Sequence, residues 1–219
     1  MEDIDQLKAA HDAASGSTGP GRRWNTESLN RAAVVLLCAH FEGFLEDLFR
    51  ESVASMENAH VPSGSVPRVL VMEALSEDAR KLSQSKDMGD RVATLQRLMN
   101  RIRPFVDPTR PIQPGEIDTT PITRSLENPT TEKVKALYSH LGFQDILDGV
   151  SWRAAGNQSV RRNINELVDL RNKIAHGERE VPVVWADVDR YRKYVVGTSG
   201  ILDAKLRDHL RSLTGANPW

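Results

Sequence analysis

The stretch from Ala32 to Ala39, AAVVLLCA, is apolar at every position. On a helix it has no polar face to turn toward water, so other elements must pack around it. It lies in a proline-free segment that Asn25 or Thr26 can cap and that runs to about Asn58. The segment reads as one long helix at the centre of a helical core. Its second half turns amphipathic, with Phe41, Phe44, Leu45 and Leu48 on one side. Aromatic residues are few and strand-like alternation is nearly absent, which makes the predicted fold class all-α.

A second stretch, Val160 to Gly177, reads as an amphipathic helix carrying an anomaly. At about 100° per residue, Val160, Ile164, Leu167 and Ile174 share one stripe, and Arg171 falls inside it. An unpaired charge is costly in an apolar interior, so this position asks for a carboxylate partner or an anionic ligand. Glu42, which continues the face of Val35, Cys38 and Ala39, is the candidate carboxylate, and its geometry suits a guanidinium. Glu46 lies one turn further, and His40 continues the face of Ala33, Leu36 and Leu37. These two either support a site or mark where the long helix leaves the core. His176 occupies the last turn, just before Gly177 at the C′ position.

The hexamer R-N-K-I-A-H, from Arg171 to His176, resembles the R-x(4–6)-H motif of HEPN domains, whose first x is often Asn, as Asn172 is here. AHFEGFLEDLF, from Ala39 to Phe49, is similar to the first long helix of the RiboL-PSP-HEPN branch. The order of the two elements is also similar, and the resemblance extends over roughly Arg31 to Leu210. It implies a HEPN-like helical bundle and a metal-independent endoribonuclease. It further implies a two-fold dimer whose motifs face one groove, and service as a toxin or effector in toxin–antitoxin, abortive-infection or antiphage systems. An antitoxin or other regulatory protein would then be a partner, beside the RNA substrate. Some HEPN toxins carry a tyrosine two residues after the motif histidine; here that residue is Glu178.

An arginine and a histidine suffice for one kind of RNA cleavage. The 2′-hydroxyl must lose a proton, the leaving 5′-oxygen must gain one, and the phosphorane between these steps needs positive charge. Imidazole serves the first two and guanidinium the third. The resemblance assigns these roles to His176 and Arg171, and Asn172, one turn before His176, could orient its ring. On an ideal helix, however, Arg171 and His176 point about 140° apart and lie about 7.5 Å apart along the axis. They converge only if the helix unwinds near Gly177 or a second protomer completes the site. The bland alternative is a buried Arg171–Glu42 pair, with His176 placed favourably at a helix C-terminus. A non-catalytic HEPN module that binds nucleotide or a partner protein is the second functional reading.

Composition narrows the remaining classes. With 29 basic and 30 acidic residues the net charge is -1, so RNA contact must rest on a local patch rather than a global field. Cys38 is the single cysteine, in an apolar run, which suits a reducing compartment and an inert thiol. The acidic start MEDIDQLKAAHDAA lacks the layout of a signal peptide, and Ala32–Ala39 is far short of the roughly 20 residues of a membrane span. A cytoplasmic protein without membrane association is expected. His11, His40, His60, His140 and His209 lack metal-ligand spacing, so neither metal nor cofactor is expected.

In chain order, residues 1–25 are expected to form a short helix and a flexible linker, Ser15 to Arg23. Residues 26–214 are expected to form a single helical domain. Within it, VPSGSVP breaks the chain after the long helix, and helices follow from about Pro67 to Ser83 and Asp87 to Ile102. Residues 104–121 hold five prolines and read as an irregular insert, either disordered or a functional loop. Arg101, Arg103 and Arg110 are solvated charge or RNA-backbone contacts. Thr130 or Thr131 caps a helix to Leu141, and Trp152 and Arg153 precede the motif helix. A last helix begins near Val184, where Gly197 and Gly200 are candidate kink positions.

Overall fold

The computed structural model describes residues 1–15, 23–150, 160–178 and 181–219, with 23–25 as backbone only. Most of the expected linker, and Trp152 and Arg153, lie outside the described residues. Eight α-helices are described: α1 (Glu2–Ser15), α2 (Arg23–Asn58), α3 (Arg68–Gln84), α4 (Met88–Ile102), α5 (Thr120–Thr123), α6 (Thr131–Ser139), α7 (Val160–Ala175) and α8 (Trp185–Thr214). No strand occurs among the described residues, and the chain is all-α as its patterning requires. None of these helices is long and apolar enough to cross a membrane.

Local signals explain most boundaries. Asp87 caps α4 by accepting a hydrogen bond from the Asp90 N–H at 2.8 Å. Gly177, at φ +78°, closes α7 in a left-handed conformation that an L side chain resists. Two boundaries differ from expectation. The α2 helix starts at Arg23, so Thr26 lies inside its first turn rather than capping it. The α8 helix runs through Gly197 and Gly200 without interruption, because its Val188, Tyr191, Val195, Leu202, Leu206 and Leu210 bury one continuous face.

The chain divides into two compact units, and α2 and α8 contribute to both. In the first unit, α2, α7 and α8 meet around a small cavity lined by Phe41, Leu167 and Tyr191 among others. The α1 helix packs here too: Ile4 is fully buried, Asp5 forms a two-pronged pair with Arg192, and the His11 and Trp185 rings lie 5.1 Å apart. The apolar run of α2 is not wrapped on all sides. Ala33, Val34, Leu37, Cys38 and Phe41 are buried, whereas Ala32, Ala39 and Gly43 are exposed and Val35 and Leu36 half-buried. Small residues cost little when left in water, which lets one strip of α2 stay uncovered.

The second unit holds the middle of the chain. Here α2 and α6 meet through an edge-on Phe49–Tyr138 contact at 6.2 Å, and His209 on α8 hydrogen-bonds the Leu141 carbonyl at 2.9 Å. The proline-rich segment is irregular, as expected, but it is packed rather than free. Ile112 and Ile117 are buried, and Arg110 forks onto Glu116 at 2.7 and 2.9 Å. Gly64 donates to the Pro108 carbonyl at 2.9 Å, an approach so close that a Cβ at Gly64 would stand 2.9 Å from Pro108. Arg101 donates to the buried Asp78 at 2.7 Å, so Arg101 and Arg110 are structural ties rather than free cations.

A second buried tie is Glu57. Its carboxylate is 6% exposed and accepts from the backbone N–H groups of Gly115 (3.0 Å) and Ile117 (2.8 Å). Glu57→Ala strands both donors and should cost about 2–4 kcal/mol. The expected result is a Tm lower by roughly 5–10 °C. An unchanged melting curve would mean that the segment is not held by this carboxylate.

Candidate active site

The periodicity of α7 is realised: Val160, Ile164, Leu167 and Val168 are buried, and Arg171 follows them at the edge of the same face, half-buried. The helix ends in a Schellman arrangement, with Gly177 N–H bonded to the Ile174 carbonyl at 3.1 Å and Glu178 N–H to Lys173 at 3.0 Å. His176 is the residue just before that turn, and its N–H still makes the helical bond to the Asn172 carbonyl at 2.9 Å. The helix therefore does not unwind between the two motif residues. Their side chains keep the divergent directions of an ideal helix, about 140° apart.

The expected Arg171–Glu42 pair is not formed. One Glu42 oxygen instead accepts the Asn128 N–H at 2.9 Å, satisfying a backbone donor in a tight turn where Asn128 itself has φ +56°. The Arg171 guanidinium donates to the Asn172 side-chain oxygen at 3.2 Å and, among the described residues, pairs with no carboxylate within 4.0 Å. Asn172 thus touches Arg171 and not the His176 ring. Because, among the described residues, only one of the five guanidinium N–H groups is used, the rest face a ligand without competition from them. Half-burial without a full charge partner is tolerable because part of the group still reaches water.

Cys38 reports that Arg171 and Glu42 nonetheless share a neighbourhood. Burial pushes its thiol up to about 11, the Arg171 charge pulls it down, and the Glu42 charge adds to the rise. A thiol held so high is not a nucleophile near neutral pH, in keeping with an inert role.

The other candidates fall elsewhere. His40 lies on the opposite flank of α2, its Nε2 3.4 Å from Asp3 on α1, an ion-pair distance without hydrogen-bond alignment. Glu46 is tied to Arg50 at 2.7 Å, an ordinary pair one turn apart. His176 is exposed, and no side chain among the described residues holds its ring.

Sequence reasoning missed the residues that fix the connector after the motif. Arg31 donates to the backbone carbonyls of Glu178 (2.7 Å) and Val181 (3.2 Å), and the buried Asn30 amide donates to Val183 at 2.8 Å. Position alone gave no hint of this, because the carbonyls that Arg31 and Asn30 meet are about 150 residues away in sequence. Asn163, 2% exposed on α7, was missed too: neither end of its amide has a protein partner, and it lines the small cavity.

The RiboL-PSP-HEPN family model matches residues 1–204. The chain belongs to that family. No curated protein and no solved structure is significantly similar to it. The match takes in α1 as well as the motif helix, which agrees with the packing of α1 against α2 and α8 in this RiboL-PSP-HEPN protein.

Arg31 gives a direct test of how His176 is held. Arg31→Ala removes two charge-assisted hydrogen bonds and should cost about 1–3 kcal/mol. Amide exchange should accelerate in residues 177–183 and stay unchanged in α6. Equal protection in both proteins would show that the connector is held by other contacts.

Proposed function

We propose that the chain is a metal-independent endoribonuclease that cleaves RNA through its own 2′-hydroxyl. His176 serves as acid and base, Arg171 binds the phosphate, and Asn172 orients Arg171. HEPN domains are often ribonucleases, and the carrying observation is the Arg171 guanidinium: half-buried, aligned by Asn172, and unneutralised by any carboxylate within 4.0 Å among the described residues. Such a group is preorganised for an anion and has no structural pair to break first. A role as toxin or effector in bacterial conflict fits this chemistry, with an antitoxin or other regulator as partner. A non-catalytic binding module is the second reading, favoured by the exposed His176 ring, which no side chain among the described residues fixes in one tautomer.

Cleavage should persist in EDTA and leave 2′,3′-cyclic phosphate ends. His176→Ala should lower the rate by about 10²–10⁴ and Arg171→Ala by about 10²–10³, both with native circular dichroism. Arg171→Lys should also fail, since an ammonium lacks the planar fork that meets Asn172 and phosphate together. An absolute need for a divalent ion, or activity surviving both alanine variants, would sink the mechanism.

The divergence of Arg171 and His176 calls for a second protomer, and α2 offers a face for it. Ala32, Leu36, Ala39 and Gly43 recur at helical spacing along its uncovered strip. Cys38 and Glu42, the α2 residues whose thiol and carboxylate mark where Arg171 lies, adjoin this strip on one flank. Pairing of two such strips about a two-fold axis would bring both motifs to one groove. Nothing lies within 4 Å of a Cβ added at Gly43, and Ala39 is exposed, so these two positions accept larger residues in the monomer. Ala39→Glu should therefore yield a folded, inactive monomer by sedimentation. An Ala39→Glu protein that stays dimeric and active would place the dimer contact elsewhere.

A further inference from the structure

The hairpin of α3 and α4 is inverted in polarity. Its inner contacts are polar and charged: Arg101 donates to Asp78 at 2.7 Å and to the Ala74 carbonyl at 2.8 Å, Arg97 stands 3.6 Å from Asp78, and Thr94 is buried. Leu70 and Ala74 of α3 are buried, but a row of apolar residues on and just beyond α4 points outward. Met88 (68% exposed), Val92, Leu95, Met99 (62%), Ile102 and Val106 are all exposed, and they follow one another at spacings of 4, 3, 4, 3 and 4 residues. That is the heptad rhythm of a helix seam, in which every third or fourth side chain waits for a facing groove. An exposed apolar row of this length, rather than single scattered side chains, marks an interaction surface.

The charges beside the seam decide what fits it. Arg91 stands about 60° to one side of the stripe, and Arg103 follows α4 directly, in a single 3-10 turn before Val106. Both are exposed, and among the described residues neither forms an ion pair. The one acid within α4, Asp90, points to the opposite side of the helix. A second copy of this chain would bring arginines to a seam whose flanking acids are already engaged, Asp87 in capping α4 and Asp107 with Thr109. RNA would find no exposed aromatic platform along α4. We propose that α4 is a docking face for an acidic amphipathic helix of a partner protein, whose apolar residues fill the Met88–Val106 seam and whose carboxylates meet Arg91 and Arg103. Such helix-on-helix recognition reads anchors at this spacing, and flanking charges select the partner.

The probe is a 21-residue helical peptide with Leu at the a and d positions and Glu at e and g, compared by fluorescence anisotropy with the same peptide carrying Lys at e and g. The full chain should bind the Glu peptide at micromolar concentration, and the Lys peptide at least about tenfold more weakly. Met99→Glu, and separately Arg91→Glu with Arg103→Glu, should each weaken the Glu peptide by about tenfold or more. Circular dichroism and Tm should be unchanged, because none of these side chains is buried. Absence of binding, or equal binding of the two peptides, overturns the proposal. So does a dimer that Met99→Glu dissociates while Ala39→Glu does not, which would make the seam a self-contact. Binding to phosphatidylserine vesicles that is lost in Met99→Glu would make it a membrane contact and overturn the proposal equally.

Discussion

The long helix α2 carries two sets of residues, and the rest of the structure depends on their separation. Its apolar set, Ala33, Val34, Leu37, Phe41 and Leu45, supplies buried surface against which other helices pack. Its polar set at the margins holds the backbone of connectors. Asn30 and Arg31 take the segment after α7, Glu42 takes the turn at Asn128, and Glu57 takes the proline-rich segment. Loops carry backbone groups that must find partners when they approach a core. A side chain anchored on a rigid helix is a good partner, since its position is already fixed.

The same logic explains why Arg171 ends up without a carboxylate. Glu42 has two claimants, a guanidinium and the N–H of a left-handed turn. The turn is tied down by this one bond, whereas Arg171 lies at the edge of its face and retains access to water. A half-exposed ion pair contributes little, so a carboxylate that holds a backbone N–H gives up little by not forming one. Arg171 is left with Asn172, a neutral amide that fixes direction without cancelling charge. A cation aligned but not neutralised is what an anion-binding position requires.

Much of this was legible in the sequence because it follows from local periodicity. The all-α class, the α7 stripe with Arg171 at its edge, the Gly177 terminus and the Asp87 cap each rest on residues within a turn or two of one another. What the sequence concealed depends on contacts across long separations. Arg31 reads as a surface charge until the carbonyls of Glu178 and Val181 are placed beside it. Glu42 reads as the partner of Arg171, but the donor it meets instead, Asn128, lies 86 residues away and announces nothing. The proline-rich segment reads as loose because prolines exclude helices and strands; that it is tied down follows from Glu57, whose burial is a tertiary fact.

The α4 and α7 helices show the limit of periodicity most plainly. Both present an apolar stripe, α4 in the unbroken heptad rhythm and α7 with an arginine within it. Yet the α7 stripe is covered, while the α4 stripe faces water. Amphipathicity says that one face prefers burial; it does not say what will bury it. On α4 the fold has spent its own contacts on the other side of the helix, through Arg101 and Thr94. The hairpin therefore gains nothing from its outward methionines, valines, leucine and isoleucine unless something outside the chain covers them. Exposed side chains that contribute nothing to the fold, yet keep heptad spacing from Met88 to Val106 beside two arginines that form no ion pair among the described residues, are organised for a second molecule.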